Sequence, residues 1–455
     1  MPHGPTLGTE LPLITVLPFA LLLLSIALFP LFAAHWWEKN RNKAVVAALL
    51  SLPVTAYLLG AFGHDGWLAL EEKLLDYVSF IVLLAALFLI SGCIYLQGSL
   101  SGTPLVNTAF LGTGAVLANL IGTTGASVLL IRPLMRANAA RQRKTHIIIF
   151  FIFVVSNCAG LLTPLGDPPL FLGFLKGVPF EWTFRLWPQW LVVNGLLLAI
   201  FNVWDQVVFD REERERPGSQ LEEVMKHEPF RVHGAHNMLL LLGVVAVVLL
   251  AGNGVGFGGA EWPYGLKEAL MALLGLAAYF TTTTEIRERN AFSFGPIIEV
   301  AVLFAGIFVT MAPALVILNA WGHGEREVLG MAFGLSEPWH FYWATGGLSS
   351  ILDNAPTYLT FSATAAGQAG VAAEGRFLAA FLERGPEATR LLTAIACGAV
   401  MMGANTYIGN GPNFMVKAIA EESGIRMPSF FGYMLYSVAV LIPTFVVVTL
   451  LFFRG

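Results

Sequence analysis

The sequence predicts an all-α polytopic membrane protein built from two inverted-topology repeats. About ten spanning helices, two re-entrant hairpins and two broken helices are expected. Three observations lead there. The 455 residues are 56% hydrophobic and only 12% charged, with a mean hydropathy of +0.70, whereas soluble domains carry about 25% charged residues. Apolar stretches of spanning length follow one another with short basic loops between them. One Gly/Pro-rich motif also occurs twice, TPLGDPPLF at 163–171 and TYIGNGPNF at 406–414, at a constant offset of 243.

The N-terminal MPHGPTLGTE has no basic n-region, and the apolar run Leu11 to Ala34 is too long for a signal h-region. It reads as the first span. Further spans are expected near 44–62, 75–96, 146–176, 188–209, 237–251, 265–284, 296–320, 391–424 and 430–453. The stretches 104–137 and 340–366 are interrupted at their middles by NLIGTTGAS (119–127) and SSILDNAPT (349–357). Two half-length helices with a polar tip make a hairpin that enters and leaves on one side. Such a tip is tolerated only where it is buried in protein or lines a wet cavity.

Basic residues fix the orientation. Lys39, Arg41 and Lys43 follow the first span, and Arg132, Arg136, Arg141, Arg143 and Lys144 the first hairpin. Arg211, Arg214, Arg216, Lys226 and Arg231 fill the central loop, and Arg287 and Arg289 the next. With both hairpins re-entrant all fall on one side, which the positive-inside rule makes cytoplasmic. Arg376, Arg384 and Arg390 then lie outside, in a long loop shared with Glu374, Glu383 and Glu387 where the rule is weaker.

The charged run 210–236 reads as a solvated cytoplasmic linker between a first repeat (1–209; hairpin 104–137, broken helix 146–176) and a second (237–455; hairpin 340–366, broken helix 391–424). His233 and His236 have metal-like spacing without further ligands and count as linker residues. Cys93, Cys158 and Cys397 are far apart in apolar surroundings, which suggests neither a disulfide framework nor a metal set. Between the repeats Thr163 pairs with Thr406, Gly166 with Gly409, Pro169 with Pro412 and Phe171 with Phe414. Asp76 and Glu299 sit near the starts of corresponding helices. Inverted repeats with paired broken helices mark secondary transporters that bind near the midplane.

The breaks carry the chemistry. Gly166, Pro168 and Pro169 in one, and Gly409, Gly411 and Pro412 in the other, cannot continue a helix. They free backbone groups at membrane depth, where an ion with its water is a natural partner. Each hairpin tip would close on one break. The first clamp offers Asn119, Thr123, Thr124 and Ser127 with Asn157, Thr163 and Asp167. The second offers Ser349, Ser350, Asp353, Asn354 and Thr357 with Asn405, Thr406 and Asn410.

Asp353 and Asp167 are the candidate proton or cation carriers, because an ionisable group within a membrane segment is costly. Neither has Arg or Lys close in sequence. The competing reading for each is a helix N-cap. Asp76 and Glu299 lie near span ends and read as structural, although Glu299 could join a proton relay. A midplane carboxylate without a basic partner repels anions and suits a cation. Holding a proton or Na⁺ but not both is sufficient for antiport. A carboxylate substrate bound through hairpin N–H groups and sodium ions remains the alternative.

The motifs GTPLVNTAFLGTGAVLANLIGTTGASVLLIRPLMRAN, LLTPLGDPPLFLGFLKGVPFEW, SSILDNAPTYLTF and GANTYIGNGPNFMVKAIAE resemble the ion transporter superfamily. The likeness is to its citrate transport and sodium:proton antiporter family, related to NhaD-type antiporters, arsenite efflux pumps and citrate carriers. It covers nearly the whole chain. It implies two inverted repeats with a hairpin facing each side, sodium sites at the hairpin tips, and a homodimer. Carboxylate carriers of the superfamily have Ser-Asn-Thr tips. Here the tips read Ile-Gly-Thr-Thr-Gly and Leu-Asp-Asn-Ala-Pro, which favours the sodium/proton branch.

The expectation is therefore a sodium/proton antiporter of the bacterial cytoplasmic membrane working by alternating access, with a sodium- or proton-coupled carrier of citrate or another carboxylate as the alternative. Na⁺ is the expected coupling ion or substrate, with no other cofactor. The partners are Na⁺, H⁺, membrane lipid, a second copy and, in the alternative, a carboxylate. An enzyme is not expected, since no HExxH, GxSxG or paired catalytic carboxylates occur. A net charge of −4 without a basic patch gives no sign of nucleic acid.

Overall fold

The structure, a computed structural model, describes residues 7–219, 228–259, 262–290, 292–325, 327–328 and 334–454. Among these, six helical stretches are long and apolar enough to cross a membrane: Leu13–Phe32, Asn40–Gly92, Pro104–Ala137, Phe180–Glu215, Gly295–His323 and Phe430–Phe453. Shorter apolar helices, Thr145–Leu161 and Asn237–Gly252, lie among them. The protein is an integral, helical membrane protein.

Two of the long helices fold back on themselves. Asn40–Gly92 bends at Gly63, where φ is 50°. A Cβ placed on Gly66 would stand 2.1 Å from the carbonyl oxygen of Leu58, although eight residues of straight helix span about 12 Å. Two spans result, close to the expected 44–62 and 75–96. The second begins about a turn or more earlier than expected, because its charged start, Glu71 to Asp76, is helical and held by ion pairs described below. Pro104–Ala137 breaks at Gly122 (φ 77°, ψ 155°), a conformation essentially reserved for glycine. Its ends meet again, with Asn107 and Asn138 exchanging amide hydrogen bonds of 2.9 and 2.8 Å. A straight helix would hold them about 46 Å apart. The first stretch is thus a hairpin with its tip at Gly122.

The second hairpin comprises Pro338–Ser349 and Asn354–Gln368. Its open end is closed by Gln368 Nε2 donating to the Leu335 carbonyl at 2.5 Å. The two hairpins open at opposite ends of the molecule. The base of the first is tied by Arg136, which donates to the Leu96 carbonyl at 2.6 Å, beside Gly92, Cys93 and Ile94, whose carbonyls accept the Asn237 and Asn290 amides. The base of the second lies at the far end of helix Gly295–His323, where Asn319 donates to the Ala363 and Val371 carbonyls.

The broken helices occupy the centre. Ile147–Val155 are buried on every side, and so are Ala394–Met402. A helix apolar and buried all round belongs in a core. Helices at the periphery turn large apolar side chains outward, with Phe32 82% and Phe280 78% exposed, as lipid contact requires.

One feature departs from the expected layout. The all-α expectation misses a two-stranded antiparallel ribbon, Tyr95–Ser99 against Glu228–His233. The described residues of 210–236 are mostly exposed, with one buried exception. Helix Trp187–Glu215 runs into this segment, and Glu212 is buried. Arg141 is the reason: it reaches Asp205 at 2.6 Å and Glu212 at 3.1 Å. His233 bonds Gln97 and His236 bonds Thr281. The part of this segment at 220–227 lies outside the described residues.

Candidate functional site

Each hairpin tip grips a helix break, and the two grips are alike. At the first, the Thr163 hydroxyl donates to the Asn119 carbonyl at 2.5 Å, and the Asn119 amide oxygen accepts Leu162 N–H at 2.8 Å. At the second, the Thr406 hydroxyl donates to the Ser350 carbonyl at 2.6 Å, and the Ser350 hydroxyl donates to the Met402 carbonyl at 3.1 Å. Asn405 donates to the Ser350 hydroxyl at 2.9 Å. Both breaks curl so tightly that a Cβ on Gly166 would meet the Gly160 carbonyl oxygen at 2.5 Å. One on Gly409 would meet that of Gly403 at the same distance.

The breaks then restart as short helices, each with proline in the first turn: Pro168–Leu175, including Pro168 and Pro169, and Gly411–Glu422, including Pro412. Proline is favoured there because the first-turn N–H has no helical partner in any case. Asp167 and Asn410 precede the two restarts at corresponding positions. Neither side chain caps its own helix, which leaves both free to face the centre.

Asp167 is the point of convergence. It is 1% exposed. Its Oδ1 accepts the Thr123 hydroxyl at 2.7 Å and the Asn410 amide at 3.4 Å, and its Oδ2 accepts the Asn354 amide. One carboxylate thus receives both hairpin tips and the opposite break. Thr123 also donates its N–H to the Gly166 carbonyl at 2.8 Å. Every named donor to Asp167 is neutral. The amide oxygens of Asn354 and Asn405 are buried with no hydrogen-bond partner, so uncommitted hard oxygen ligands stand at the second tip and at its break.

A cavity of about 60 Å³ opens beside Asp167, room for a few water-sized bodies. Thr123, Thr124 and Gly166 line its polar side, and Leu84, Phe88 and Val300 its apolar side. No basic residue is among its described lining.

An asparagine layer connects the two breaks behind Asp167. Asn157 donates to Asn413 at 2.6 Å and accepts from Asn410 at 3.2 Å, while Asn410 also donates to the Ser156 carbonyl. Asn413 ties off its own break through the Gly403 and Thr406 carbonyls, both at 2.9 Å. Sequence reading missed Asn413. The repeat alignment sets it opposite Leu170, so the comparison that exposed its neighbours gave it no counterpart.

Other expected site residues sit at the rim or serve the scaffold. Ser127 shares a hydrogen bond with Ser156 at 2.8 Å, and Ser349 donates to the Ala399 carbonyl at 2.7 Å. Thr357 donates to the Asp353 carbonyl at 2.9 Å. Asp353 adopts the competing role considered for it: its Oδ1 accepts Ala355 N–H at 3.0 Å and caps Asn354–Gln368. Among the described residues, no group of three or more His, Cys, Asp or Glu could hold a metal ion. The three cysteines are free and buried.

No curated protein matches the chain in sequence. A family model described as "Putative citrate transport" matches residues 8–453. With nearly its whole length matched, the chain belongs to this transport family.

Proposed function

We propose that this transporter is a sodium/proton antiporter in which Asp167 binds H⁺ and Na⁺ alternately. The observation that carries the reading is the environment of that carboxylate. It is buried between two helix breaks and two hairpin tips, donors of neutral charge reach it from three elements, and the unpartnered amide oxygen of Asn354 lies close by. A lone carboxylate with hard oxygen neighbours suits a small cation. Protonated, it satisfies itself. Ionised, it needs a counter-charge, and Na⁺ supplies one. Either occupant excludes the other, which couples the two flows. Na⁺ would draw on Asp167, Thr123 and Asn354, with the second tip and break, Ser350, Asn405 and Thr406, offering a similar oxygen set. Asp353 is the second candidate carrier.

The proposed architecture is two inverted repeats, 1–209 and 237–455, joined by 210–236 and working by alternating access. Hairpins that open at opposite ends support it. The proposed location is a bacterial cytoplasmic membrane, with the basic loops inside and a second copy as partner.

The family description favours one second reading, a sodium- or proton-coupled carrier of citrate or another carboxylate. Against it stand the absence of a basic residue from the described cavity lining and the cavity's small volume. Dequenching of a pH-sensitive dye in everted vesicles separates the two. Sodium, lithium and potassium salts test exchange, and citrate with sodium tests co-transport. Dequenching with an alkali cation alone supports the antiporter. Response only when citrate is present replaces it with the second reading.

A further inference from the structure

The half-helix that begins at Asp167 ends on a cluster of four charges in which the two lysines are buried and the two acids partly so. Lys176, 2% exposed, follows Pro168–Leu175 directly. Its ammonium lies 2.5 Å from both Glu72 Oε1 and Asp76 Oδ2, on the span that begins after Gly63. Lys73, 4% exposed, shares Glu72 at 3.0 Å. Two cations and two anions cancel, so the two lysines can stay buried. Breaking the cluster would leave uncompensated charge in a poorly solvated place.

Its position gives it a task. Eight helical residues, about 12 Å, separate it from Asp167, so the two lie at opposite ends of one rigid rod. The cavity beside Asp167 lies toward the other end of the molecule, against Leu84 and Phe88 late in the same span and Pro296 and Val300 early in helix Gly295–His323. The cavity thus flanks Asp167 on one side, and the charge cluster lies beyond it on the other.

The second half does not repeat the arrangement. Glu299, the counterpart of Asp76, is taken by Lys43 at 2.6 Å. Lys417, on the second half-helix, pairs with Glu421 of its own helix at 2.8 Å. The first half-helix is therefore bound to its neighbouring span by ion pairs. The named ion pairs of the second leave it unbound to the corresponding span.

We infer that Lys176 with Glu72 and Asp76 forms the outer gate of the transport path, closed in this structure while the inner side is open. The cluster must part before Asp167 can meet the outside. This inference rests on the alternating-access reading above and places the basic loops inside.

Site-directed labelling tests it without requiring transport. Thr124→Cys puts a thiol on the cavity wall beside Asp167, and the three native cysteines are buried. A membrane-impermeant thiol reagent is applied to right-side-out and to inside-out vesicles. With the cluster intact, Cys labelling should come almost wholly from the inner face. Lys176→Met, and independently Glu72→Gln, should raise labelling from the outer face about tenfold, since losing one partner of a buried pair shifts the equilibrium by at least that much. Lys176→Arg, which keeps the charge, should stay close to the unsubstituted pattern. Glu72→Gln serves alone if Lys176→Met fails to insert. Unchanged outer labelling in every inserted, monodisperse disrupting variant overturns the gate. Cation-driven proton movement is measured in parallel on vesicles holding the unsubstituted protein. Its absence with every cation would end the antiporter reading, while a labelling shift would still establish the gate.

Discussion

Asn354 and Asp167 stand 187 positions apart, yet the amide of the first donates to the carboxylate of the second. The bond ties the tip of one hairpin to the helix break of the other half. It makes Asp167 sensitive to both hairpins at once, as the proposed alternating access requires.

Replacing Asn354 by Leu removes a donor to Asp167 and an unpartnered amide oxygen together. The loss of a hydrogen bond to a charged group is worth about 1.5–3 kcal/mol. The apparent sodium half-saturation should rise about tenfold or more, with protein level unchanged. Initial rates across a sodium series in proteoliposomes give the number, and an unaltered half-saturation would remove Asn354 from the ion site.

Gly166→Ala and Gly409→Ala should each abolish transport. In both breaks a Cβ would press within 2.5 Å of a backbone carbonyl oxygen, and backbone cannot yield as a flexible side chain can. Overpacking of this kind costs about 1–3 kcal/mol, so the variants should still insert and migrate as folded protein. Activity near that of the unsubstituted protein in either would mean that its break tolerates reshaping and does not hold the ion.

Arg141 carries a stability prediction. It is buried against Asp205 and Glu212, and Asp205 also accepts His146 at 2.8 Å and Asn107 at 2.9 Å. Arg141→Met should cost about 3–5 kcal/mol, because it strands buried carboxylates. The midpoint of thermal unfolding in detergent should fall by several degrees. A change too small to measure would show that water replaces the guanidinium.

Orientation is open to a direct check. Cysteines at Arg143 and Arg216 should react with an impermeant reagent only from the cytoplasmic face, and one at Glu374 only from outside. Labelling of positions 143 and 216 from opposite faces would contradict the opposed hairpins.

Much of this architecture was legible in the sequence for local reasons. Gly122, Gly166 and Gly409 interrupt apolar runs, and such interruptions can be located without knowing what the chain touches. The same holds for the repeat, which shows as Thr, Gly, Pro and Phe at one offset. What local signals could not supply is which side chains meet. Asp353, at a hairpin tip, and Asp167, in a helix break, both read as carriers, with Asp353 the first choice. The first is positioned to cap its own helix, whereas the second has its cap position turned toward residues from distant segments. The helical start at Glu71 to Asp76 was hidden because its charges argue against membrane until Lys176, about a hundred positions later, is seen to neutralise them. The ribbon at Tyr95–Ser99 likewise depends on a partner strand far along the chain.

In the proposed mechanism one carboxylate, Asp167, carries H⁺ and Na⁺ in turn. The most direct measurement is sodium-driven proton movement in proteoliposomes containing the unsubstituted protein, Asp167→Asn or Asp167→Glu, read with an internal pH dye. The unsubstituted protein should exchange protons for sodium without citrate, Asp167→Asn should show none, and Asp167→Glu should retain part of the activity with a displaced pH profile. Sodium-driven exchange that persists in Asp167→Asn would contradict the account.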